Sequence, residues 1–269
     1  MVSTVFVACA LSCYRELEVA VNSKQLDVVI LAGGKPAEAL AVAHNVAVKA
    51  LIPIGGHVMS WYVLKALRSS GMVNRIVYVG PSVPELENLY DIHLPARGEM
   101  LENLEAGLAA LPNSNRVLIA TADIPLLTPE AVRDVVSRDS GTGLVYPVIS
   151  EAACERAFPG GKRTYAKLKT GKFTGGNLFL LEPGLVAAFM PKLRQVIHNR
   201  KNPLAIAGMI GIDTLFKFPF GMLQISDLEQ KISKILGVPA SALITEFAEV
   251  GFDVDKPEDL ILTLIKLRT

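Results

Sequence analysis

Apolar and polar positions along the chain follow two alternating patterns from Asp27 onward. Short continuous apolar runs are typical of buried strands, and they predict strands at 27–31, 75–80, 116–120, 177–181 and 248–254. Apolar residues at helical spacing, together with start and stop signals, predict helices at 57–71, 99–111, 128–138 and 255–269. Because parallel strands need crossover connections, this alternation predicts an α/β fold with a mainly parallel sheet covered by helices.

The pattern is less regular in the second half of the chain. We interpret about 150–176 as a basic, loop-rich insertion and about 185–240 as a helical segment. Within that segment Ser226 is a predicted N-cap, and Glu229 would complete a capping box. No linker divides 27–269, which we interpret as one domain.

Composition narrows the partners and the compartment. A hydrophobic fraction of 51% with 20% charged residues indicates an ordered protein, and a net charge of +1 provides no overall field for nucleic acid or an anionic membrane. Residues 1–26 are interpreted as a flexible leader, because their uncharged run is shorter than the ~20 residues that span a bilayer. Cys9, Cys13 and Cys154 lack the spacing of a disulfide framework or a zinc site, which favours a cytoplasmic protein.

Two stretches carry candidate chemistry at the ends of predicted strands. Gly33 and Gly34 follow the first strand, where the absence of side chains lets backbone N–H groups approach a phosphate. Asp123 follows the strand at 116–120, and in parallel sheets ligands bind at the carboxyl ends of the strands. Taken alone, glycines after a strand or an aspartate near a proline more often mark an ordinary turn.

The stretches resemble a known family when they are taken together. Leu31-Ala32-Gly33-Gly34, Lys49-Ala50-Leu51, Gly55-Gly56, Asp123-Ile124-Pro125-Leu126 and the segment 253–260 occur in the order of its motifs. The chain resembles MobA-like nucleotidyltransferases, which include molybdenum-cofactor cytidylyl/guanylyltransferases and sugar-phosphate nucleotidyltransferases. The resemblance implies a glycosyltransferase-A-like, Rossmann-like fold. It also implies Mg²⁺-dependent transfer of a nucleotidyl group from an NTP to a phosphorylated small-molecule acceptor, with release of pyrophosphate.

The resemblance also implies roles for individual residues. Asp123 is the first metal ligand, Asp255 is the second, and Asp253 is the alternative to Asp255. Lys49 reaches the α-phosphate and, with Asp123, is a catalytic residue. The residues that surround the nucleotide are Leu31, Ala32, Gly33, Gly34, Lys35, Lys49, Gly98 and Asn103.

The chain departs from the family in its glycine loop. The family carries an arginine there that binds the triphosphate, whereas the stretch 35–45 has none, and Val48 stands where the family has proline. Lys35 could supply a substitute charge, although as a point charge rather than a bidentate fork. This difference leaves open a nucleotide-binding regulatory protein with little or no turnover. A metal-dependent glycosyltransferase is a second alternative, against which the Leu-Ala-Gly-Gly block argues.

The insertion is rich in basic residues and has no acid between Phe158 and Lys172. One interpretation is a flap that binds the acceptor's phosphate, with the acceptor side formed by Lys162, Arg163, Lys167, Gly175, Gly176 and Asn177. The other interpretation is a solvated hairpin whose charges keep an edge of the sheet soluble. The sequence makes no prediction of oligomeric state.

Overall fold

The computed structural model describes residues 25–34, 38–199 and 221–268. The strands in this part are β1 (Leu26–Leu31), β2 (Pro53–Ile54), β3 (His57–Val58), β4 (Val73–Val79), β5 (Ile92–Leu94), β6 (Val117–Thr121), β7 (Leu144–Ser150), β8 (Ala166–Leu168), β9 (Gly171–Gly175), β10 (Leu178–Leu181) and β11 (Ala240–Thr245). The helices are α1 (Ala39–Ala43), α2 (Met59–Ser69), α3 (Met100–Ala109), α4 (Pro129–Ser137), α5 (Glu151–Ala157), α6 (Val186–Asn199), α7 (Ile225–Leu236) and α8 (Pro257–Lys266).

Nine of the strands form one sheet with the order β5-β4-β1-β6-β10-β7-β9-β8, and β11 pairs with β7. The β5, β4, β1 and β6 strands pair in parallel, as do β7 and β11. The β10 strand runs antiparallel to β6 and β7, and β9 runs antiparallel to β7 and β8. The sheet is therefore mixed, with parallel pairing in its core from β5 to β6, and this core confirms the predicted α/β fold class.

The sheet separates two apolar cores, and β1 contributes to both because successive side chains of a strand point to opposite faces. Val28 and Ile30 lie in the core on one face, whereas Val29 lies in the core on the other. Helices α2, α4 and α5 cover the first face, with buried Leu64, Leu67, Val132, Val135 and Cys154. Helices α3 and α6 cover the second face, with buried Leu104, Leu108, Phe189 and Met190.

The predicted last strand at 248–254 is wrong. Its first half is a short 3₁₀ turn, Ala248–Gly251, and the rest is irregular. Its alternating apolar residues Ala248, Val250, Phe252 and Val254 are nonetheless buried, which explains why the pattern resembled a strand. The strand that pairs with β7 here is β11, Ala240–Thr245. The prediction placed its first residue, Ala240, in the helical segment.

Two details of the second half also differ from the prediction. Helix α7 begins at Ile225, so Ser226 lies in its first turn and is not the N-cap. The N–H of Gln224 donates to Asp227 Oδ2 at 2.8 Å, while Glu229 Oε1 accepts the N–H of Ala242 in β11 at 2.7 Å. The predicted capping box is therefore wrong, because Glu229 accepts a hydrogen bond from the backbone of β11 instead.

The insertion at about 150–176 contains regular structure as well as loops. Helix α5 and the β8–β9 hairpin lie within it, and β9 pairs with the end of β7. Most of the predicted leader and the middle of the predicted helical segment lie outside the described residues. Among the described helices, none combines the length and the apolar character that crossing a membrane requires.

Candidate active site

Three aspartates meet at the carboxyl end of the central strands. Asp123 follows β6, and the irregular segment after the 3₁₀ turn supplies Asp253 and Asp255. Val254 N–H donates to the carbonyl oxygen of Asp123 at 2.9 Å, and this bond holds the two segments side by side. One carboxylate oxygen from each aspartate lies within 4.8 Å of those of the other two.

The spacing of Asp253 and Asp255 follows from extended backbone. Residues two apart in an extended segment point to the same side, and the residue between them points to the opposite side. Val254 is fully buried in an apolar cluster, so both aspartates face Asp123. Asp259 in the first turn of α8 accepts the N–H of Asp255 at 3.2 Å and of Lys256 at 3.0 Å, which caps the helix and fixes this backbone.

Lys49 completes the cluster from the other side. Its Nζ lies 3.0 Å from Asp123 Oδ2 and 2.5 Å from Asp255 Oδ1. Val48 and Ala50 are buried in the core, so the backbone at Lys49 is anchored while its side chain faces the carboxylates. Burial alone would lower the pKa of the Lys49 ammonium, but the charges of Asp123 and Asp255 outweigh it and raise that pKa, so the group stays charged.

Asp253 has a different cationic partner, Arg163 from the insertion. Arg163 donates to Asp253 Oδ1 at 3.0 Å and to the carbonyl oxygen of Asp253 at 2.6 Å. Its guanidinium also stacks on the ring of Phe252, 4.2 Å from the ring centroid. Burial raises the pKa of Asp253 to about 6, helped by the charges of Asp123 and Asp255 and opposed by Arg163.

The donor set of the cluster suits a hard divalent cation. All the candidate ligands are carboxylate oxygens, which Mg²⁺ prefers. Asp123 Oδ1 is buried and has no hydrogen-bond partner, and a buried acceptor without a partner is costly unless a ligand satisfies it. The cluster of Asp123, Asp253 and Asp255 could therefore hold a metal ion.

The glycine turn after β1 lies against Asn103 of α3. Leu31 ends β1, Gly34 has a positive φ of 54°, and a Cβ added at Gly33 would lie 2.4 Å from Nδ2 of Asn103. Asn103 is 2% exposed, and its Oδ1 accepts the N–H of Arg97 at 2.7 Å. Asn103 therefore contacts both the glycine turn and the loop before α3. Gly33 and Asn103, which the sequence analysis assigned to one nucleotide site, lie close together.

The remaining residues of the predicted nucleotide site are Ala32, Gly98 and Lys35. Ala32 N–H donates to Val79 O at 2.8 Å, which fixes the turn to the end of β4. Gly98 has a positive φ of 102° in the same loop as Arg97. Lys35 lies outside the described residues.

The predicted acceptor residues lie along the insertion and its return to the sheet. Lys162 and Lys167 are exposed, whereas the side chain of Arg163 is only 10% exposed and is paired with Asp253. Asn177 donates its N–H to Val250 O at 2.8 Å and accepts the N–H of Thr121 at 3.1 Å, so it links β10 to the end of β6.

The two glycines before Asn177 pack against β7. Gly176 donates its N–H to Pro147 O at 2.9 Å, and a Cβ added at Gly175 would lie 2.4 Å from the Tyr146 hydroxyl. These glycines permit the close approach of β9 and β7. Any contact of the insertion with an acceptor stays a prediction.

The chain matches the family model of the MobA-like NTP transferase domain over residues 28–204. It belongs to this family of nucleotidyltransferases. Among curated protein sequences none matches the chain. The MobA-like assignment agrees with the resemblance of the sequence motifs and confirms it.

Solved structures place this MobA-like NTP transferase among nucleotidyltransferases of the same fold. It is 46% identical to a hypothetical transferase from Thermus thermophilus, with a TM-score of 0.81 over 88% of this chain and 99% of that one. It is 16% identical to 2-C-methyl-D-erythritol 4-phosphate cytidylyltransferase, also from Thermus thermophilus, with a TM-score of 0.53 over 91% of this chain and 100% of that one. It is 14% identical to CMP:2-keto-3-deoxy-manno-octonic acid synthetase complexed with CTP, with a TM-score of 0.55 over 91% of this chain and 100% of that one. The last two likenesses show the fold alone.

The site of this MobA-like NTP transferase includes residues that the sequence interpretation missed. A Cβ added at Gly80 would lie 2.6 Å from the carbonyl carbon of Ala32, so this glycine lets the end of β4 approach the glycine turn. The signal that could have found it is a glycine as the last residue of the predicted strand 75–80. Thr121 Oγ1, at the end of β6, is buried without a partner in the same way as Asp123 Oδ1. Nothing in the sequence pattern distinguishes Thr121 from an ordinary strand residue.

Proposed function

We propose that the chain transfers a nucleotidyl group from an NTP to a phosphorylated small-molecule acceptor, a cofactor precursor or a sugar phosphate, and releases pyrophosphate. The observation that carries the proposal is the cluster of Asp123, Asp253, Asp255 and Lys49 at the ligand-binding edge of a nucleotidyltransferase fold. The buried, unpartnered Asp123 Oδ1 supports it, because a cation would satisfy that atom.

Asp123 and Asp255 are the proposed ligands of Mg²⁺. The side chain of Asp255 is 54% exposed, whereas that of Asp253 is 26% exposed and is held by Arg163. Lys49 also lowers the pKa of Asp255 against the effect of burial, which keeps that carboxylate ionised. Bound Mg²⁺ would neutralise the phosphate oxygens of the NTP and stabilise the leaving pyrophosphate.

The nucleotide is proposed to bind along the glycine turn. Backbone N–H groups at Gly33 and Gly34 face the phosphates, and Asn103 forms the adjoining wall near the base. Lys49 places its ammonium at the α-phosphate, where negative charge accumulates as the acceptor attacks.

The acceptor is proposed to enter from the side of the insertion. Lys162 and Lys167 attract its phosphate, and the backbone from Gly175 to Asn177 lines its other side. An oxygen of the acceptor phosphate attacks the α-phosphorus while the bond to the pyrophosphate oxygen breaks in line, so no covalent enzyme intermediate forms.

A pyrophosphate-release assay with four NTPs, Mg²⁺ and a panel of phosphorylated acceptors tests the proposal. CTP is an early choice because one structurally similar protein is described in complex with it. Asp123→Ala should abolish Mg²⁺-dependent release, while Glu182→Gln, at an exposed position beyond the end of β10 that pairs with the start of β6, should leave it unchanged. Full activity of Asp123→Ala would remove this residue from the metal site.

The second candidate is a nucleotide-binding regulatory protein on the same fold. The absence of an arginine from the stretch 35–45 favours it, because the triphosphate then lacks a bidentate partner in the loop. Thermal shifts with an NTP and Mg²⁺, without pyrophosphate release for any acceptor in the panel, would support this candidate over the enzyme.

A further inference from the structure

Lys49 touches the same two carboxylates that the proposed function assigns to the metal ion. We infer that its ammonium is a built-in substitute for the metal in the ligand-free protein. Lys49 leaves the carboxylates when a divalent cation binds, and it is then free to reach the nucleotide phosphate. This inference rests on the proposed function and adds an exchange of cations to it.

The charges of the cluster favour such an exchange. Arg163 balances Asp253, so Asp123 and Asp255 carry two negative charges between them. With Lys49 in place one of these charges remains, and a divalent cation added beside the ammonium would leave a net positive charge in a partly buried site. Since like charges a few ångströms apart repel strongly in such surroundings, the divalent cation and the ammonium compete for the position.

Short contacts show that the two cations would lie against the same carboxylates. The Nζ of Lys49 lies 3.0 Å from Asp123 Oδ2 and 2.5 Å from Asp255 Oδ1. The oxygens that could hold a metal ion lie within 4.8 Å of one another, so a cation among them lies within a few ångströms of the ammonium. The ammonium thus lies against Asp255, the more exposed of the two proposed ligands.

The backbone around Lys49 favours a swing of the side chain alone. Val48 and Ala50 are buried on either side and anchor the 3₁₀ turn, whereas the four-carbon side chain of lysine has several rotatable bonds. A Cβ added at Gly34 would lie 3.2 Å from Val48, so the glycine turn is directly adjacent to the residue that precedes Lys49. The path from the carboxylates to a phosphate on this turn is therefore short.

Exchange predicts that Lys49 weakens metal binding when no nucleotide is present. Titration with Mn²⁺ alone, in which electron paramagnetic resonance measures the free ion, compares the full chain with Lys49→Met. We expect Lys49→Met to bind Mn²⁺ roughly tenfold more tightly or better, because a close positive charge has been removed. Lys256→Met is the matched control, since Lys256 is exposed and adjoins Asp255 in the chain; it should change the affinity little.

Each outcome decides the inference. Equal or weaker binding by Lys49→Met overturns it, and so does an equal gain in Lys256→Met, because the effect is then general electrostatics. If Asp123→Asn does not abolish the gain in the Lys49→Met background, the metal lies elsewhere and the inference fails. Absence of Mn²⁺ binding in every protein overturns the proposed metal site together with the inference, whereas equal binding by the full chain and Lys49→Met overturns the inference alone.

A measurement on the unmodified chain covers the case in which Lys49→Met does not fold. The rate at which an amine-reactive acylating reagent modifies Lys49 is followed by peptide mass spectrometry with and without Mn²⁺. Release from the two carboxylates should increase this rate, since the Nζ is then no longer held between Asp123 and Asp255. An unchanged or lower rate at saturating Mn²⁺ overturns the inference.

Discussion

Arg163 holds Asp253 through both its side chain and its backbone, at 3.0 Å from Oδ1 and 2.6 Å from the carbonyl oxygen. The pair connects the basic insertion to the carboxylate cluster. The neighbouring cations Lys162 and Arg163 differ, because Lys162 is exposed to solvent whereas the side chain of Arg163 is paired with Asp253.

We therefore expect substitutions of Arg163 and Lys162 to change different kinetic parameters. Arg163→Met should raise the Mg²⁺ concentration for half-maximal activity about tenfold, as for other residues that orient a ligand, and lower stability by about 2 kcal/mol. Lys162→Met should raise KM for the acceptor and leave the Mg²⁺ requirement and the stability unchanged. Steady-state kinetics with Mg²⁺ and acceptor varied separately, with urea unfolding, distinguishes the two. A larger effect of Arg163→Met on acceptor KM than on Mg²⁺ would contradict this division.

Asp255 and Asp253 should differ as metal ligands. Asp255→Asn removes the more exposed carboxylate, and Asp253→Asn removes the one that Arg163 already holds. Loss of a direct ligand should weaken Mg²⁺ binding more than loss of an orienting group, whose effect is about tenfold. Titration of activity with Mg²⁺ in both variants measures this order, and a reversed order would make Asp253 the direct ligand.

Gly33 should tolerate no side chain. In Gly33→Ala the new Cβ would lie 2.4 Å from Nδ2 of buried Asn103, and overpacking of this kind costs about 1–3 kcal/mol. Because Asn103 also fixes the loop at Arg97, KM for the NTP should rise as well. Gly184→Ala is the control, since an added Cβ there meets nothing within 4 Å. Equal thermal stability of the two variants would show that Asn103 moves away without cost.

Asp27 should make stability depend on pH in the acid range. Burial raises its pKa, but hydrogen bonds from Arg75 and Ser114 outweigh burial and lower that pKa below its usual value. A lowered pKa contributes stability above the unfolded value of about 4, and the contribution is lost as the pH falls through the folded value. Asp27→Asn should therefore lose about 1–2 kcal/mol at pH 7, and the difference from the unaltered chain should shrink below about pH 4. Urea unfolding at both pH values measures it; a constant difference would assign the effect to packing.

The central strands and the order of the motifs were predictable because they depend on local sequence. β1 and β6 are continuous apolar runs covered on both faces, and Asp123 follows β6 directly. The segment at 248–254 misled the pattern, since alternating apolar residues there are buried by core contacts without strand pairing. The contact of Arg163 with Asp253 joins positions 90 apart in the chain, so no local pattern could reveal it. Contacts of this kind decide which charges in the site are free.

The hydrogen bond from Val254 to Asp123 has a consequence for biosynthesis. During translation the ribosome releases β1, β6 and β10 well before the segment with Asp253 and Asp255. A nascent chain can thus pair its central strands while it still lacks Asp253 and Asp255, two of the three aspartates of the cluster. Competence to hold a divalent cation between these three carboxylates then arises only after the segment with Asp253 and Asp255 has been added.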